Sequence, residues 1–497
     1  MRLKKILLSF ILPFVLCHVH EVEAQNSSSN GNPILGYYNK VAGQVNRYRE
    51  EVNRMYGRLL GGEWTKARDE DRVEFTLRED EPIPIVVYDP KYDKCDYRIE
   101  VKPHAVLRPQ KVGARPDHGL IRFEETAELK DIQYEVMLNG YDIALRFVEN
   151  GKIKIADSSV NSIAAAWNEL SAKPYTNMFR DLSKARDFLN LCDWSFVCLV
   201  NEFTKSVYGA SSVSEAVLTQ AFILNSFGYK VMLARNSDGT IFKFLASTQK
   251  VLNRPGIRVD GDKYYVFDNV VPRNYSFFEF DLNGERALWL GMPSEESYFE
   301  TFTATRTFSS ARYPNVSFDI KNELSKLSFY ASYPVVCPGD DVLNAFAFYA
   351  DVPLSLEIQE KVFRKLSDIL QGRGELEAVN IIMNFVQTAF KYDEDEDFWG
   401  VERYFFADEL WHYGACDCED KAILLSRLVR DLLGLETAIV YWPGHASCAV
   451  RFSSKVNGYH FVVDGVEYTS CDPTFVNAGV GAMMDEVKEL PATLILL

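Results

Sequence analysis

A short arrangement of residues occurs twice in this chain, and it limits the folds that the chain can adopt. Each copy has an Asp-Gly turn, a tyrosine and a later aspartate at the same spacing: Asp260, Gly261, Tyr264 and Asp268 in the first, and Asp464, Gly465, Tyr468 and Asp472 in the second. A helical pattern that ends at a glycine, Gly228 or Gly434, precedes each copy. Self-similarity of this kind predicts two copies of one unit, each running helix, glycine, strand, strand, aspartate.

The length and composition are those of a multidomain globular protein. A chain of 497 residues is long for one hydrophobic core, so we expect two to four domains. Hydrophobic residues make up 47% and charged residues 25%, which is ordinary for a globular protein. The 33 phenylalanines and 26 tyrosines favour packed β-rich layers over long exposed helices.

The first 24 residues have the organisation of a cleavable export signal. Three basic residues lie among the first five, an apolar run covers 6–17, and Ala24 stands where cleavage is expected. The apolar run is too short to span a bilayer, and no later segment is long and apolar enough. A lipoprotein anchored through Cys17 is less favoured, because the bulky Leu16 precedes that cysteine. We therefore expect an exported protein, periplasmic or extracellular, and not an integral membrane protein.

The charge of the chain argues against polyanionic partners. The formal net charge is −16 at pH 7, and no segment is dense in lysine and arginine. Such a chain is a poor candidate for binding nucleic acid or anionic membranes. Neutral or cationic substrates remain compatible with its charge.

Eight cysteines follow the predicted signal, and four of them lie between residues 416 and 471. This density is too low for a fold built on disulfides, and the pairing of the cysteines stays open. No paired C-x-x-C occurs, so neither a structural zinc site nor any other metal or cofactor is expected. Redox chemistry at Cys416 and Cys418 is disfavoured, because no thioredoxin-like pattern accompanies them.

Periodicity along the chain predicts alternating blocks of strands and helices. Between residues 74 and 155, short alternating runs are separated by turn formers, which is typical of a β-sandwich or barrel. The other predicted segments, in chain order, are a surface helix over 37–60, helices over 160–227, a mixed strand region to 268, strands over 298–308 and 324–336, two helices between 355 and 390, and a helix over 418–433.

Cys418 stands at the beginning of the last of these helices. Asp417 is predicted as the N-cap, which places Cys418 at the first helical position, on the same apolar stripe as Ala422. A thiol there feels the positive end of the helix dipole and is surrounded by free backbone N–H groups. Both effects lower the pKa of the thiol and supply part of an oxyanion hole. Cys416 lies before the helix and lacks these advantages.

His445 and Asp472 supply the other two groups that an activated thiol requires. His445 follows an apolar strand that is closed by Pro443-Gly444, and Asp472 ends a later strand and precedes Pro473. Antiparallel strands joined by short turns bring such residues side by side. Cys418 as nucleophile, His445 as base and Asp472 as orienting carboxylate therefore satisfy the roles of a catalytic triad.

At these residues the chain resembles the transglutaminase-like superfamily, which has the papain-like fold. The motif Gly-x-Cys-x-Asp-x-Ala is carried by 416–422 with Cys416 at the glycine position, and it continues with Gly444-His445-Ala446 and Cys471-Asp472-Pro473-Thr474. The resemblance covers about ninety residues and implies that Cys418 attacks an amide carbonyl, that His445 shuttles the proton and that Asp472 holds the imidazole. The cysteine at the glycine position leaves a second thiol close by.

The same comparison implies that the first copy is inactive. Aligned with the second copy, it has Ser212 at the nucleophile position and Asp268 at the acid position, and no histidine occurs between residues 119 and 411. A triad of this type cannot operate without its base. The first copy is therefore expected to serve packing or binding.

Several residues near the predicted triad have alternative interpretations. His412 and His460 are the rivals for the base, while Gln387 and Trp411 belong either to an oxyanion site or to core packing. The acidic run 393–397 alternates aspartates as calcium loops do, but it lacks the glycine of the tight turn, which favours a solvated loop.

Together these features predict an α+β protein in which a papain-like, transglutaminase-like catalytic domain follows β-rich domains and an inactive copy. The expected activity is that of an exported cysteine hydrolase acting on peptide or isopeptide amides of a peptide or protein substrate; the alternative is a non-catalytic binding or scaffold protein of the cell envelope. The predicted parts are a signal (1–24), a leader and surface helix (25–60), a β-rich domain (61–157), the degenerate copy (158–285), a β-rich connector (286–340) and the catalytic domain (341–497).

Overall fold

The computed structural model describes residues 50–73, 82–83, 87, 96–108, 130–278, 286–292, 296–395, 399 and 403–497. The predicted export signal, Cys17 and the leader lie outside the described residues. The described part mixes helices and strands, which makes the chain an α+β protein. Within these ranges no helix has both the length and the apolar character needed to cross a membrane.

The described amino-terminal residues contribute an α-helical segment, a short 3-10 helix (Asp69–Asp71) and six strands. Residues 50–59 are helical, and their Val52 and Tyr56 are buried, so the predicted surface helix is docked on the core. The strands are β1 (Thr65–Lys66), β2 (Arg72–Val73), β3 (Tyr97–Glu100), β4 (Pro103–His104), β5 (Asp131–Leu138) and β6 (Tyr141–Val148).

The first copy consists of a helical layer and the strands that follow it. Its helices are α1 (Val160–Ala172), α2 (Thr176–Phe188), α3 (Asp193–Tyr208) and α4 (Val213–Ser226). Its strands are β7 (Val231–Arg235), β8 (Ile241–Ser247), β9 (Lys250–Val251), β10 (Gly256–Val259), β11 (Asp262–Tyr265) and β12 (Ser276–Phe277). The predicted helical block and the strand region after it are both confirmed.

The connector and the second copy follow. The connector holds β13 (Arg306–Ser309), β14 (Ser317–Ile320), α5 (Leu324–Ser332) and β15 (Val336–Cys337). The second copy holds α6 (Asn344–Asp351), α7 (Leu356–Leu370), α8 (Glu375–Ala389), β16 (Lys391–Tyr392), α9 (Ala407–Tyr413), β17 (Ala415–Cys416), α10 (Cys418–Leu433), β18 (Thr437–Trp442), β19 (His445–Val450), β20 (Tyr459–Val463), β21 (Val466–Cys471) and β22 (Thr493–Leu496).

Two seven-stranded sheets dominate the described part, and their central strands follow one scheme. The first sheet has the order β1-β12-β7-β8-β11-β10-β2, and the second has the order β3-β20-β21-β19-β18-β22-β4. When the first order is reversed, the five central strands of the two sheets correspond one to one in chain order. The two copies found in the sequence therefore share their strand connectivity.

The repeated Asp-Gly pairs form the same turn in both sheets. Asp260 and Gly261 join β10 to β11 with φ angles of 49° and 91°, and Asp464 and Gly465 join β20 to β21 with φ angles of 51° and 79°. A two-residue hairpin turn with positive φ at both positions matches the right-handed twist of its strands and favours Asp-Gly. This repeated signal thus reflects one backbone requirement that both hairpins share.

The predicted β-rich domain over 61–157 is wrong as a separate sheet. Strands β1 and β2 pair with the two outer strands of the first copy, whereas β3 and β4 pair with the two outer strands of the second. The hairpin β5–β6 alone forms a sheet of its own among the described strands of this range. Alternation in a sequence indicates a strand but does not identify its partner, so the prediction grouped strands that belong to different sheets.

In the connector 286–340, which was expected to be β-rich, the prediction of a strand over 324–336 is wrong for most of its length. Most of the range 324–336 is the helix α5, in which Leu327, Phe329 and Tyr330 are buried. The spacing of these apolar residues fits one face of a helix as well as a strand. The strand was predicted because aromatic residues are enriched in strands. The two helices predicted between 355 and 390 are confirmed as α7 and α8.

Candidate functional site

Helix α10, which carries Cys418 at its first position, packs against the second sheet. The helix begins at Cys418 and ends at Leu433, as predicted, and Asp417 occupies the N-cap position. The helix packs against β18 and β19 on one side and against α8 on another. The apolar stripe that includes Ala422, Leu425 and Val429 is buried, which fixes the orientation of the helix and of the thiol at its start.

His445 and Asp472 meet in the interior of the second sheet. His445 is the first residue of β19, and Asp472 directly follows β21, the strand that pairs with β19. The distance between His445 Nε2 and Asp472 Oδ2 is 3.0 Å, and the two side chains are 2% and 3% exposed. The structure thus brings together the two residues predicted as base and orienting carboxylate.

Asp472 is held on both of its oxygens. Its Oδ1 accepts hydrogen bonds from the backbone N–H of Thr474 at 2.8 Å, from the hydroxyl of Thr474 at 2.7 Å and from the backbone N–H of Phe475 at 3.2 Å. Burial alone would raise the pKa of this carboxyl, but His445 and the bonds from Thr474 outweigh it and hold the pKa below its ordinary value. Asp472 therefore stays ionised and keeps its orientation.

Trp442 is a site residue that the sequence interpretation missed. It faces His445 across the hairpin of β18 and β19, and the two rings stack with centroids 5.6 Å apart and an interplanar angle of 22°. Trp442 is 2% exposed and also packs edge-on against Phe461. The sequence signal that could have identified Trp442 is its position just before the turn Pro443-Gly444, because the residues that flank a two-residue turn face each other.

Gln387 ties α8 to the segment after β21. Its Nε2 donates to the backbone carbonyls of Asp472, Phe475 and Ala478 at 3.0, 2.9 and 3.2 Å. Gln387 therefore anchors the loop that carries the carboxylate, and its amide nitrogen is committed to that loop. Trp411 packs in an aromatic cluster with Phe385 and its neighbours, in agreement with the core interpretation.

The two rival histidines have other surroundings. His460 lies on β20, where its Nδ1 is 3.2 Å from the Thr469 hydroxyl and its Nε2 is 3.4 Å from Asp96 Oδ1. His412 is half-buried at the end of α9, and burial together with the charge of Arg306 lowers its pKa. Among the described histidines, His445 is the one hydrogen-bonded to the carboxylate predicted for the triad.

Cys418 is closed off from solvent and touches an acidic neighbour. The residue is 2% exposed, and its Sγ lies 3.1 Å from Glu419 Oε2, to which the thiol donates. Cys416 is equally buried, and burial raises the pKa of its thiol well above the ordinary value. The two neighbouring thiols therefore differ in position rather than in exposure: Cys418 is in the first turn of the helix and Cys416 is outside it.

Five buried acidic residues, here called the acidic cluster, surround the start of α10: Asp395, Glu409, Asp417, Glu419 and Asp420. Burial, followed by the charge of Glu419, raises the pKa of Asp395 to about 7. Burial raises the pKa of Glu409 to about 7 despite its ion pair with Arg403. The pKa values of Asp417 and Asp420 are raised well above their ordinary range by burial and by the other carboxylates.

The expectation that 393–397 is a solvated loop is wrong for Asp395, which is 4% exposed. Residues 396 and 397 lie outside the described residues.

Among the described residues no disulfide bond is formed by the cysteines, which are Cys192, Cys198, Cys337, Cys416, Cys418, Cys448 and Cys471. Cys448 and Cys471 stand opposite each other on β19 and β21, next to the site, and burial raises the pKa of both thiols. Cys95 lies outside the described residues.

The first copy holds a lysine beside the aspartate that corresponds to Asp472. Lys243 Nζ forms an ion pair with Asp268 Oδ1 and donates to Gln220 Oε1 at 2.7 Å, and the lysine side chain is 1% exposed. Ser212, at the position that corresponds to Cys418, is the N-cap residue of α4. The aspartate that would orient an imidazole is occupied here by an ammonium group, and Gln220 links that group to the helix.

Searches with protein-family models and against curated proteins find no match to this chain.

The Lys243–Asp268 pair gives a prediction for stability. Lys243→Met should lower the free energy of unfolding by about 3–5 kcal/mol, because it leaves Asp268 with an uncompensated buried charge. Lys205→Met is the matched control, since Lys205 and Glu202 form an exposed pair of the kind that contributes about 0–1 kcal/mol. Denaturant unfolding would measure both variants; a Lys243→Met variant as stable as Lys205→Met would contradict a stabilising role for the pair.

The acidic cluster gives a prediction for pH dependence. Asp395 and Glu409 bind protons more tightly in the folded chain than in the unfolded chain, so their contribution to stability is complete below about pH 4 and is lost as the pH rises through about 7. In metal-free buffer the free energy of unfolding should therefore fall between pH 5 and pH 8, by about 1 kcal/mol or more. Asp395→Asn should reduce this slope and Asp431→Asn should leave it unchanged; a wild-type slope of zero or opposite sign would exclude the effect.

Proposed function

We propose that this chain is a transglutaminase-like thiol enzyme of papain-like fold that cleaves peptide or isopeptide amides through an acyl-enzyme. The buried hydrogen bond between His445 Nε2 and Asp472 Oδ2, next to a helix that starts at Cys418, is the observation that carries the proposal. These are the three residue types of a thiol triad, in the chain order found in the superfamily that the sequence resembles. The shared connectivity of the two sheets supports the view that the chain contains an active and an inactive copy.

In the proposed first step His445 takes the thiol proton and Cys418 Sγ attacks the amide carbonyl. Asp472 holds the imidazole through Nε2, which leaves Nδ1 as the nitrogen that exchanges protons with the thiol and the leaving group. The backbone N–H groups of the first turn of α10 would stabilise the developing oxyanion. Collapse of the intermediate breaks the C–N bond, and His445 protonates the departing amine, so that a thioester remains on Cys418.

In the second step an acyl acceptor regenerates the thiol. Water, activated by His445, gives a carboxylic acid and completes a hydrolysis, whereas an amine acceptor gives a new amide. We propose water as the acceptor, in keeping with an exported hydrolase of the cell envelope or its surroundings. Both routes balance without an oxidant, a reductant or a further cofactor.

Trp442 is proposed to support this chemistry without taking part in it. Its indole covers one face of the His445 ring and belongs to the buried cluster that also contains Phe461. A ring packed in this way cannot rotate freely, so the orientation of the imidazole is fixed by stacking as well as by Asp472.

The alternative is a non-catalytic binding or scaffold protein. Two observations favour it: Cys418 is only 2% exposed with its thiol donating to Glu419, and the first copy has a buried lysine in place of a base. A binding protein has no need of an activated thiol, so the reactivity of Cys418 distinguishes the two functions.

The test is the rate of alkylation of each cysteine by iodoacetamide near pH 6.5, followed by peptide mass spectrometry on the full mature chain. We expect Cys418 to react at least about tenfold faster than Cys416, because the helix terminus and His445 favour its thiolate. His445→Ala should abolish this advantage. Asp472→Asn should reduce it by leaving the imidazole in the wrong orientation or tautomer.

The matched control is His460→Gln, which removes a buried histidine on a neighbouring strand that does not contact Asp472. This variant should keep the wild-type rate at Cys418. Equal rates at Cys418 and Cys416 in the wild-type chain would refute the enzyme and leave the binding protein as the better account.

A further inference from the structure

Cys448 and Cys471, here called the cysteine pair, stand directly opposite each other in the second sheet. Cys448 lies on β19, Cys471 is the last residue of β21, and the antiparallel register of these strands pairs the two. Opposite residues of an antiparallel pair point to the same face of the sheet, with Cα atoms about 4.5–5.5 Å apart. A disulfide bond requires a Cα separation of about 4.4–6.8 Å. The backbone therefore already has the spacing that a disulfide between the two residues needs.

Both side chains of the cysteine pair lie in the layer between the sheet and the helices. Each residue is 0% exposed, and both belong to the buried cluster that also contains Ala422 and Leu425 of α10. Cys448 Sγ is 3.7 Å from the carbonyl oxygen of its neighbour Ala449, which is a long contact for a weak donor. Burial, followed by the proximity of Cys448, raises the pKa of the Cys471 thiol. The two sulfurs thus share one apolar environment.

Among the described strands this is the one place where a cysteine faces a cysteine. Cys337 is opposite a lysine on β9, and Cys416 is opposite a tyrosine on β16. Cys192 and Cys198 are six residues apart at the start of α3, which separates them by about 9 Å along the helix axis and puts them out of disulfide range. The cysteine pair is therefore distinguished by its register.

We propose that Cys448 and Cys471 form a cross-strand disulfide bond when the chain folds in an oxidising compartment, and that this bond fixes the register of β19 and β21. Such a compartment agrees with the export that the sequence predicts. The same register places His445 at the start of β19 beside Asp472, the residue that follows β21. The importance of the bond for catalysis rests on the proposed function, whereas its formation does not.

The bond forms by exchange with a small disulfide such as oxidised glutathione. One thiolate of the cysteine pair attacks a sulfur of the donor and releases a first glutathione thiol. The second thiolate attacks the resulting mixed disulfide and releases the other glutathione thiol. The two cysteines together lose two protons and two electrons, and the donor takes them up. Because burial raises the pKa of both thiols in the folded sheet, the exchange takes place before the strands are packed, and burial then protects the finished bond from reductants.

Peptide mass spectrometry without reduction tests the bond. The full mature chain is produced by export into an oxidising compartment, purified without reductant, and alkylated in denaturant before digestion with trypsin. Cleavage after Arg451 and Lys455 separates the two cysteines, so they stay together only if they are covalently linked. We expect the two peptides to be joined in at least about half of the molecules and to separate after treatment with dithiothreitol. The proposal is overturned if both cysteines are alkylated, or if either is joined to another cysteine.

Equilibrium unfolding in guanidinium chloride measures what the bond contributes. Dithiothreitol should lower the unfolding midpoint of the wild-type chain by about 0.3 M or more, because the bond restricts the unfolded state. Cys448→Ala should remove this difference. Cys337→Ala, at a buried strand cysteine that faces a lysine, is the matched control and should retain it. Each variant is compared with itself with and without reductant, so a change in its basal stability does not affect the result.

The outcomes for the disulfide and for the enzyme are independent. Joined peptides in a chain whose Cys418 reacts no faster than Cys416 would retain the disulfide and refute the enzyme. An activated Cys418 in a chain whose cysteine pair is fully alkylated would refute the disulfide and retain the enzyme.

Discussion

The contact between His445 and Asp472 depends on the register of two paired strands. Cys448 faces Cys471 where β19 pairs with β21, and this register places the beginning of one strand beside the end of the other. A shift of one residue would move every side chain of the strand to the opposite face of the sheet and separate the imidazole from the carboxylate. Burial of both faces, by α10 on one side and by the cluster around Phe461 and Trp442 on the other, specifies that register. The contact between the imidazole and the carboxylate is thus a product of how the sheet is packed.

The two copies place different nitrogen groups beside the corresponding aspartate. In the second sheet an imidazole meets the aspartate, and in the first a buried ammonium meets the aspartate at the corresponding position. Lys243 contacts both Asp268 and Gln220 and thereby joins the helix to the sheet. The first copy thus has a lysine–aspartate ion pair where the second has a histidine–aspartate hydrogen bond.

Local signals in the sequence allowed much of the second copy to be predicted. The helix at 418–433 was correct at both ends, because Asp417 and Gly434 mark its boundaries and the apolar stripe lies between them. The two Asp-Gly turns were also recognised from the sequence alone. The partners of the amino-terminal strands could not be predicted, because strands that pair across hundreds of residues carry no local sequence signal of their pairing. The three hydrogen bonds of Gln387 and the burial of Asp395 were missed for the same reason: both depend on segments that are distant in the chain. The catalytic roles of Cys418, His445 and Asp472 stay predictions, supported by geometry at the second and third of these residues.

The outermost strands of the second sheet have a consequence for how the protein is made. Strand β4, at Pro103–His104, lies alongside β22, at Thr493–Leu496, almost at the end of the chain. Contacts between such distant segments form slowly, because the entropy of closing a long loop is lost before the contacts can stabilise the fold. All strands of the first sheet are therefore present once β12 has been synthesised, whereas the second sheet still lacks β22 at that point. We therefore expect folding during synthesis to proceed in two stages, in which the first copy completes its sheet before the copy that carries Cys418 does.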